Sequence, residues 1–209
     1  MARTEPFDKY LDEYEAWFKR NLHVYRSEVE AVRNFIPKKQ KGIEIGIGTG
    51  RFAIPLGIKE GVEPSEVMRN YSLRLGLTVH NGTAENLPLE DNSYDFALMV
   101  TTICFIDDVV KAFREARRIL KPGGSFIIGL VDKKSQLGKS YEEMKEQNKF
   151  YRFATFYSVE DVTKLLVENK FQNIETIQTV FGELPGIRNI QLFKKGYGEG
   201  GFVVIKASK

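Results

Sequence analysis

Three glycines stand on alternate positions at the end of an apolar run, in Gly42-Ile-Glu-Ile-Gly46-Ile-Gly48-Thr-Gly50-Arg-Phe52, and a helical pattern follows directly. Glycine lets the backbone turn sharply and lets a ligand approach the main chain, with a helix N-terminus beyond it. A tight strand-to-helix turn that holds nothing would use the same residues. The spacing separates the possible ligands. A dinucleotide loop needs G-x-G-x-x-G, its third glycine admitting the helix beside a pyrophosphate. Counted from Gly46 that position is Arg51, and counted from Gly48 it is Ala53. The second frame also leaves Glu44 awkwardly inside the strand. The pattern present is Glu44-x-Gly46-x-Gly48-x-Gly50, which disfavours a nicotinamide-dependent oxidoreductase.

Little else in the chain is built for chemistry by type alone. Cys104 is the single cysteine, and one buried cysteine commonly serves as a small apolar filler. His23 and His80 lie far apart, so no zinc site is expected and no metal is assigned. Each histidine reads as structural or exposed.

The elements that must position the loop follow from periodicity. Phe7, Leu11, Tyr14, Phe18, Leu22, Tyr25, Val29 and Val32 recur at spacings of three and four, so 7–36 reads as helix with a break near Asn21. From residue 42 short Ile- and Val-rich runs alternate with helical patterns. Strands are expected at 42–47, 76–80, 95–100, 124–131 and 202–206, and helices at 50–57, 64–75 and 107–121. Such alternation predicts an α/β fold, a mostly parallel sheet with helices on both faces. The helix at 107–121 is the clearest: Asp107 and Asp108 suit its N-terminus, Arg117, Arg118 and Lys121 its C-terminus, and Pro122-Gly-Gly stops it. The stretch 132–157 breaks the rhythm, charged at first and then aromatic.

The glycine loop resembles the nucleoside-binding loop of class I S-adenosylmethionine-dependent methyltransferases, and three further segments match that family in order. Gly61-Val-Glu63-Pro64-Ser65 resembles the end of its second strand, which implies that Glu63 grips both ribose hydroxyls, with Pro64 beside it. A carboxylate suits that task because it accepts two hydrogen bonds at once. Gly82-Thr83-Ala84-Glu85-Asn-Leu-Pro88 is similar to the adenine segment, with Thr83 where an Asp is usual. Tyr94-Asp-Phe-Ala-Leu-Met99 and Arg118-Ile-Leu-Lys-Pro-Gly-Gly124 match the fourth strand and the helix and turn after it. The resemblance implies a doubly wound, Rossmann-like, seven-stranded sheet with an N-terminal helical cap. It also implies S-adenosylmethionine as cofactor, S-adenosylhomocysteine as product, and Glu44, Gly46, Ile47, Gly48, Gly50, Glu63, Pro64, Thr83, Ala84, Glu85 and Thr101 as the cofactor site. Only 17 positions separate Gly46 from Glu63, so the first helix of the core must be short.

A sulfonium methyl is already electrophilic, and the protein mainly has to align an acceptor and exclude water. No catalytic residue is therefore assigned. The end of the fourth strand, Thr101-Thr-Ile-Cys104-Phe105, carries neither the nucleobase amino-methyltransferase signature nor the His pair of many small-molecule members. Tyr14-Glu-Ala-Trp17-Phe18 resembles the cap element of those members, and the 150–157 cluster occupies the usual lid position. Tyr14, Trp17, Phe18, Phe105, Tyr151 and Phe153 are the expected substrate and cap residues, since aromatic faces suit a cationic centre and desolvate the site.

At 209 residues the chain reads as one methyltransferase domain: 1–37 as cap, 42–131 as cofactor core, 132–157 as lid and 158–209 as C-terminal helix and strands. Its 15 Phe and 9 Tyr supply a sizeable core. A net charge of +3 argues against a nucleic-acid partner and for a small-molecule methyl acceptor; the resemblance implies transfer of the methyl to its N or O. The charged N-terminus and the lack of an 18-residue apolar run predict a cytoplasmic protein with no membrane partner. An RNA or protein methyltransferase, and a non-enzymatic sensor or scaffold, are the alternatives.

Overall fold

The structure is a computed structural model that describes residues 4–209. Three helices precede the sheet: α1 (Glu5–Lys9), α2 (Leu11–Arg20) and α3 (Leu22–Arg33). The break at Asn21 is present, and a second falls at Tyr10. There the backbone leaves helical geometry (φ −122°, ψ 37°) and the Tyr10 ring meets Phe150 edge-on at 6.3 Å. That contact lies far along the chain, so helical spacing alone did not reveal the break.

The core alternates β1 (Gly42–Ile45), α4 (Ala53–Leu56), β2 (Glu60–Val62), α5 (Glu66–Arg74), β3 (Thr78–His80), β4 (Tyr94–Val100), α6 (Val109–Ile119) and β5 (Leu120–Val131). Then come α7 (Gln136–Glu143), α8 (Val159–Glu168), β6 (Gln172–Thr179), β7 (Lys194–Lys195) and β8 (Phe202–Ser208). The sheet order is β3-β2-β1-β4-β5-β8-β6-β7, parallel from β3 to β5, with β8 antiparallel to both neighbours. The sheet thus has eight strands where seven were expected. The extra one is β7, two exposed lysines pairing with Ile177 and Gln178 at the sheet edge. Two residues carry no readable alternation, and lysine is a usual edge residue.

Helices cover both faces. On one, Phe113 and Ala116 of α6 and Val162 and Leu166 of α8 bury against Phe126, Ile128 and Val203. On the other, Val29 and Val32 of α3 and Ala53 of α4 pack with Leu98, Ile127 and Val204. Helix α4 has only four residues because Gly57 turns left-handed (φ 75°) and ends it. Asp108 caps α6 by accepting from the Lys111 amide, and Ser158 with Asp161 forms a capping box on α8. The strand order reverses between β1 and β4. In open α/β sheets a crevice opens there, at the carboxyl ends of the strands. No helix among the described residues is long and apolar enough to cross a membrane.

Candidate active site

A cavity of about 390 Å³ opens at that crevice. Of the sequence-predicted cofactor positions, Gly46, Gly48, Glu63, Pro64, Thr83, Ala84, Glu85 and Thr101 line it. So do the cap positions Tyr14, Trp17, Phe18, Phe105 and Tyr151. Four expected positions do not line it. Ile47 is buried against the sheet where a Cβ on Gly61 would strike it, and Gly50 packs beside Leu77 and Ile54. Phe153 is half exposed, with the Arg152 guanidinium over its ring. Glu44 lies beneath the loop with one oxygen turned to the Ala53 amide and Oε2 unpartnered, and burial drives its carboxyl well above the usual range.

The loop geometry explains its glycines. Gly46 has φ +74°, and a Cβ there would lie 2.5 Å from the Thr102 side chain. Its amide and that of Ile47 both donate to the Val62 carbonyl (2.8 and 3.1 Å), which fastens the turn to β2. Beyond it, the Gly48 amide donates to Glu63 Oε2 at 2.8 Å and the Ser65 amide to Oε1 at 2.9 Å. Glu63 is thus held by main chain at both oxygens, yet each oxygen keeps a further lone pair. Burial pushes its pKa up, while the two amides and Arg69 oppose the rise. A buried carboxylate set this way at a cavity wall fits a vicinal diol, the recognition element of a ribose.

The segment from Thr83 to Leu89 is fixed from α6. Glu85 accepts from the Asp107 and Asp108 amides (3.0 and 3.4 Å), so its carboxylate joins this segment to the start of the helix. Arg118 reaches back from the last turn. Its guanidinium donates to the carbonyls of Leu87 and Leu89 and pairs with Glu115 and Asp91. Thr101, at the end of β4, holds φ 50°, a strained conformation for a β-branched residue. Its carbonyl accepts from the Cys104 thiol at 3.3 Å, and burial pushes that thiol up to about 12, which leaves no thiolate nucleophile.

The cap is bolted to the glycine loop by Glu15 of α2, a residue the sequence reading passed over. Its carboxylate accepts from Thr49 Oγ1 (2.6 Å) and Tyr71 (3.3 Å) and forms a bidentate pair with Arg51. Ser65 donates to Asp8 at 2.6 Å, tying the N-terminal segment to the end of β2 as well. Burial acts to raise the Glu15 pKa, and the bonds from Arg51 and Thr49 outweigh it, leaving the carboxyl below its usual range. Glu15→Ala is expected to cost about 2 kcal/mol, because Arg51 and Thr49 lose a mostly buried partner. A lowered folded pKa stabilises above the unfolded value, about 4.3, and that stability is lost as pH falls through the folded value. Denaturant melts should therefore show the variant deficit at neutral pH and its shrinkage in acid. A deficit constant across this range would contradict the bolt.

Rings close the cavity from above. Phe7 meets Phe105 at 5.0 Å and Phe150 at 5.6 Å, and Tyr151 stacks on Phe105 at 6.0 Å and on Tyr141 at 5.0 Å. Glu28, Tyr141 and Phe150 also line the cavity, none of them among the expected site residues. For Glu28 a signal existed: Val24, Glu28 and Val32 recur every four residues, setting an acid in an apolar row. No group of three or more His, Cys, Asp or Glu stands together as a metal site among the described residues.

A family described as "Methyltransferase domain" matches residues 43–128. A Thermotoga maritima structure, described as a SAM-dependent methyltransferase and possible histamine N-methyltransferase, is 49% identical, with TM-score 0.96 and 99% of each chain covered. The chain belongs to the S-adenosylmethionine-dependent methyltransferases. This methyltransferase is also 46% identical over 203 residues to an uncharacterized protein of Methanocaldococcus jannaschii, covering 97% of this chain and 98% of that one. A ubiquinone/menaquinone biosynthesis C-methyltransferase of Rickettsia bellii is 34% identical over 88 residues, 42% of this chain and 32% of its own. As a methyltransferase the chain uses S-adenosylmethionine and yields S-adenosylhomocysteine.

Proposed function

We propose that this methyltransferase modifies N or O of a small molecule held in the aromatic half of the cavity. The observation that carries the reading is the ring-lined compartment continuous with the Glu63 cradle, flanked by helices bolted to the glycine loop. Glu63 would hold the ribose, the Gly46–Gly48 turn would accept close approach of the ligand backbone, and Thr83 to Glu85 would flank the adenine. When bound, S-adenosylmethionine supplies an activated methyl on a sulfonium. The chain's own residues then exclude water and align the acceptor, and Thr101 and Phe105 lie at the strand end facing that space. The Thermotoga relative supports nitrogen as one acceptor atom through its description. The short local match to the quinone C-methyltransferase covers under half of this chain and adds no acceptor.

Two assays test the reading. S-adenosylhomocysteine is expected to raise the melting temperature while NAD does not. Isotope-labelled methyl from S-adenosylmethionine is expected to pass to members of a panel of small amines, phenols and carboxylic acids. Label appearing only in RNA or protein would refute a small acceptor, and label in neither would favour a sensor or scaffold.

A further inference from the structure

Helix α3 carries one carboxylate that no other described residue engages by a hydrogen bond or ion pair. Glu28 is 5% exposed, lines the cavity, and sits between buried Val24 and Val32, one turn away on either side. No described residue donates a hydrogen bond to it or pairs with it. Buried carboxylates are normally paired or hydrogen-bonded, so a lone one facing a cavity points to a partner that arrives from solution. Its surroundings describe that partner. Trp17, Phe18, Tyr141 and Tyr151 share the cavity wall, and aromatic faces attract a cation. Among the described residues the one cation on the wall, Arg20, is exposed.

We propose that Glu28 is the acceptor-binding carboxylate, taking the ammonium of a small amine and receiving the proton that the amine must lose before its nitrogen can be methylated. The inference rests on the small-molecule reading above and narrows it to amines. In the proton step an N–H bond breaks with its electron pair staying on nitrogen, and an O–H bond forms on Glu28. The neutral amine then presents its lone pair. Burial pushes the Glu28 carboxyl up to about 8, so it is matched to an amine donor near neutral pH.

The other groups around Glu28 leave it as the titrating site. The phenols that feel its charge, Tyr25 on the same helix, Tyr141 on α7 and Tyr151, are all raised chiefly by burial and stay neutral between pH 6 and 9. The other charged or titratable residues of α3, His23, Arg26, Glu30 and Arg33, lie about 140–160° round the helix from it. Glu175 and Lys206, on the strands beneath α3, pair with each other. Of the remaining acids on the cavity wall, Glu13 binds Lys149, Glu63 the glycine loop and Glu85 the start of α6.

Benzylamine and its neutral counterpart benzyl alcohol test this by calorimetric titration into protein saturated with S-adenosylhomocysteine. Benzylamine is expected to bind about tenfold or more tightly than the alcohol. Glu28→Gln, similar in shape and free of the buried acid, is expected to keep its melting temperature and its S-adenosylhomocysteine affinity while losing that preference. In the wild type, benzylamine affinity should rise as pH increases from 6 through 8 while alcohol affinity stays flat, a measurement that needs no variant. Equal binding of the two probes, a preference unchanged in Glu28→Gln, or a flat pH profile for benzylamine would each overturn the proposal. Failure of S-adenosylhomocysteine to bind would instead strike the cofactor compartment on which the small-molecule reading depends.

Discussion

Glu63→Ala is expected to weaken S-adenosylhomocysteine binding by about 1.5–3 kcal/mol, a loss of ten- to a hundredfold in affinity. Two hydroxyl donors would lose a buried, charged acceptor. The loss should exceed a simple contact deletion, because the Gly48 and Ser65 amides also lose the oxygens that orient them. Glu63→Gln separates the two contributions. Its amide keeps one acceptor oxygen but turns an NH2 toward one of those two N–H donors, so an intermediate affinity is expected. Protonation should act in the same direction as the Gln variant. Burial raises the Glu63 pKa, so cofactor affinity should hold above the folded pKa and fall as pH drops through it. Calorimetric titration across pH checks both. Unchanged affinity in Glu63→Ala would remove this residue from the cofactor site.

Gly138→Ala is expected to be the most damaging single-carbon change in the acceptor half. Gly138 sits in the first turn of α7, where its amide donates to the Ser135 cap at 2.9 Å. A Cβ there would fall 2.8 Å from the Lys133 Cα and closer still to the Asp132 carbonyl. These are backbone atoms that cannot rotate aside, so the helix itself must lift. An overpacking cost of about 3 kcal/mol follows. Because α7 carries Tyr141 to the cavity, displacement should abolish methyl transfer to small acceptors. The Glu63 cradle stands on β1 and β2, remote in the chain, and S-adenosylhomocysteine affinity should fall less than threefold. Paired activity and binding measurements read this split. Equal loss of both would show that α7 supports the whole cavity rather than its acceptor half.

These contrasts track how each part could be read from sequence. The Gly46–Gly50 turn and Glu63 were readable because a strand, a tight turn and a carboxylate at fixed spacing leave a local signature. Five of the eight strands were readable from Ile- and Val-rich runs, with the helix α6 after β4, whereas β2 and β7 are too short and β6 (Gln172–Thr179) too polar to stand out. The bolt made by Glu15 and the reach of Arg118 beyond its own helix end were not assigned, since both depend on tertiary contact. Glu15 meets Thr49 and Tyr71, 34 and 56 residues away. Arg118 meets Leu87 and Leu89, 31 and 29 residues away. Phe153 illustrates the opposite error. Its aromatic neighbours suggested a lid residue, but the 3-10 turn at Tyr151–Phe153 sends Tyr151 inward and leaves Phe153 half exposed. Glu44 matched the motif and yet lies under the loop rather than on the cavity wall, because an inward strand position buries it in the sheet.

One cavity is expected to hold the cofactor at its Glu63 end and the acceptor at its ring-lined end. A crystal structure with S-adenosylhomocysteine tests it most directly. Both ribose hydroxyls are expected within hydrogen-bond distance of Glu63, adenine beside Thr83 to Glu85, and the sulfur turned toward Tyr141 and Glu28. A ribose away from Glu63, or a sulfur facing solvent with the aromatic compartment sealed from it, would contradict it.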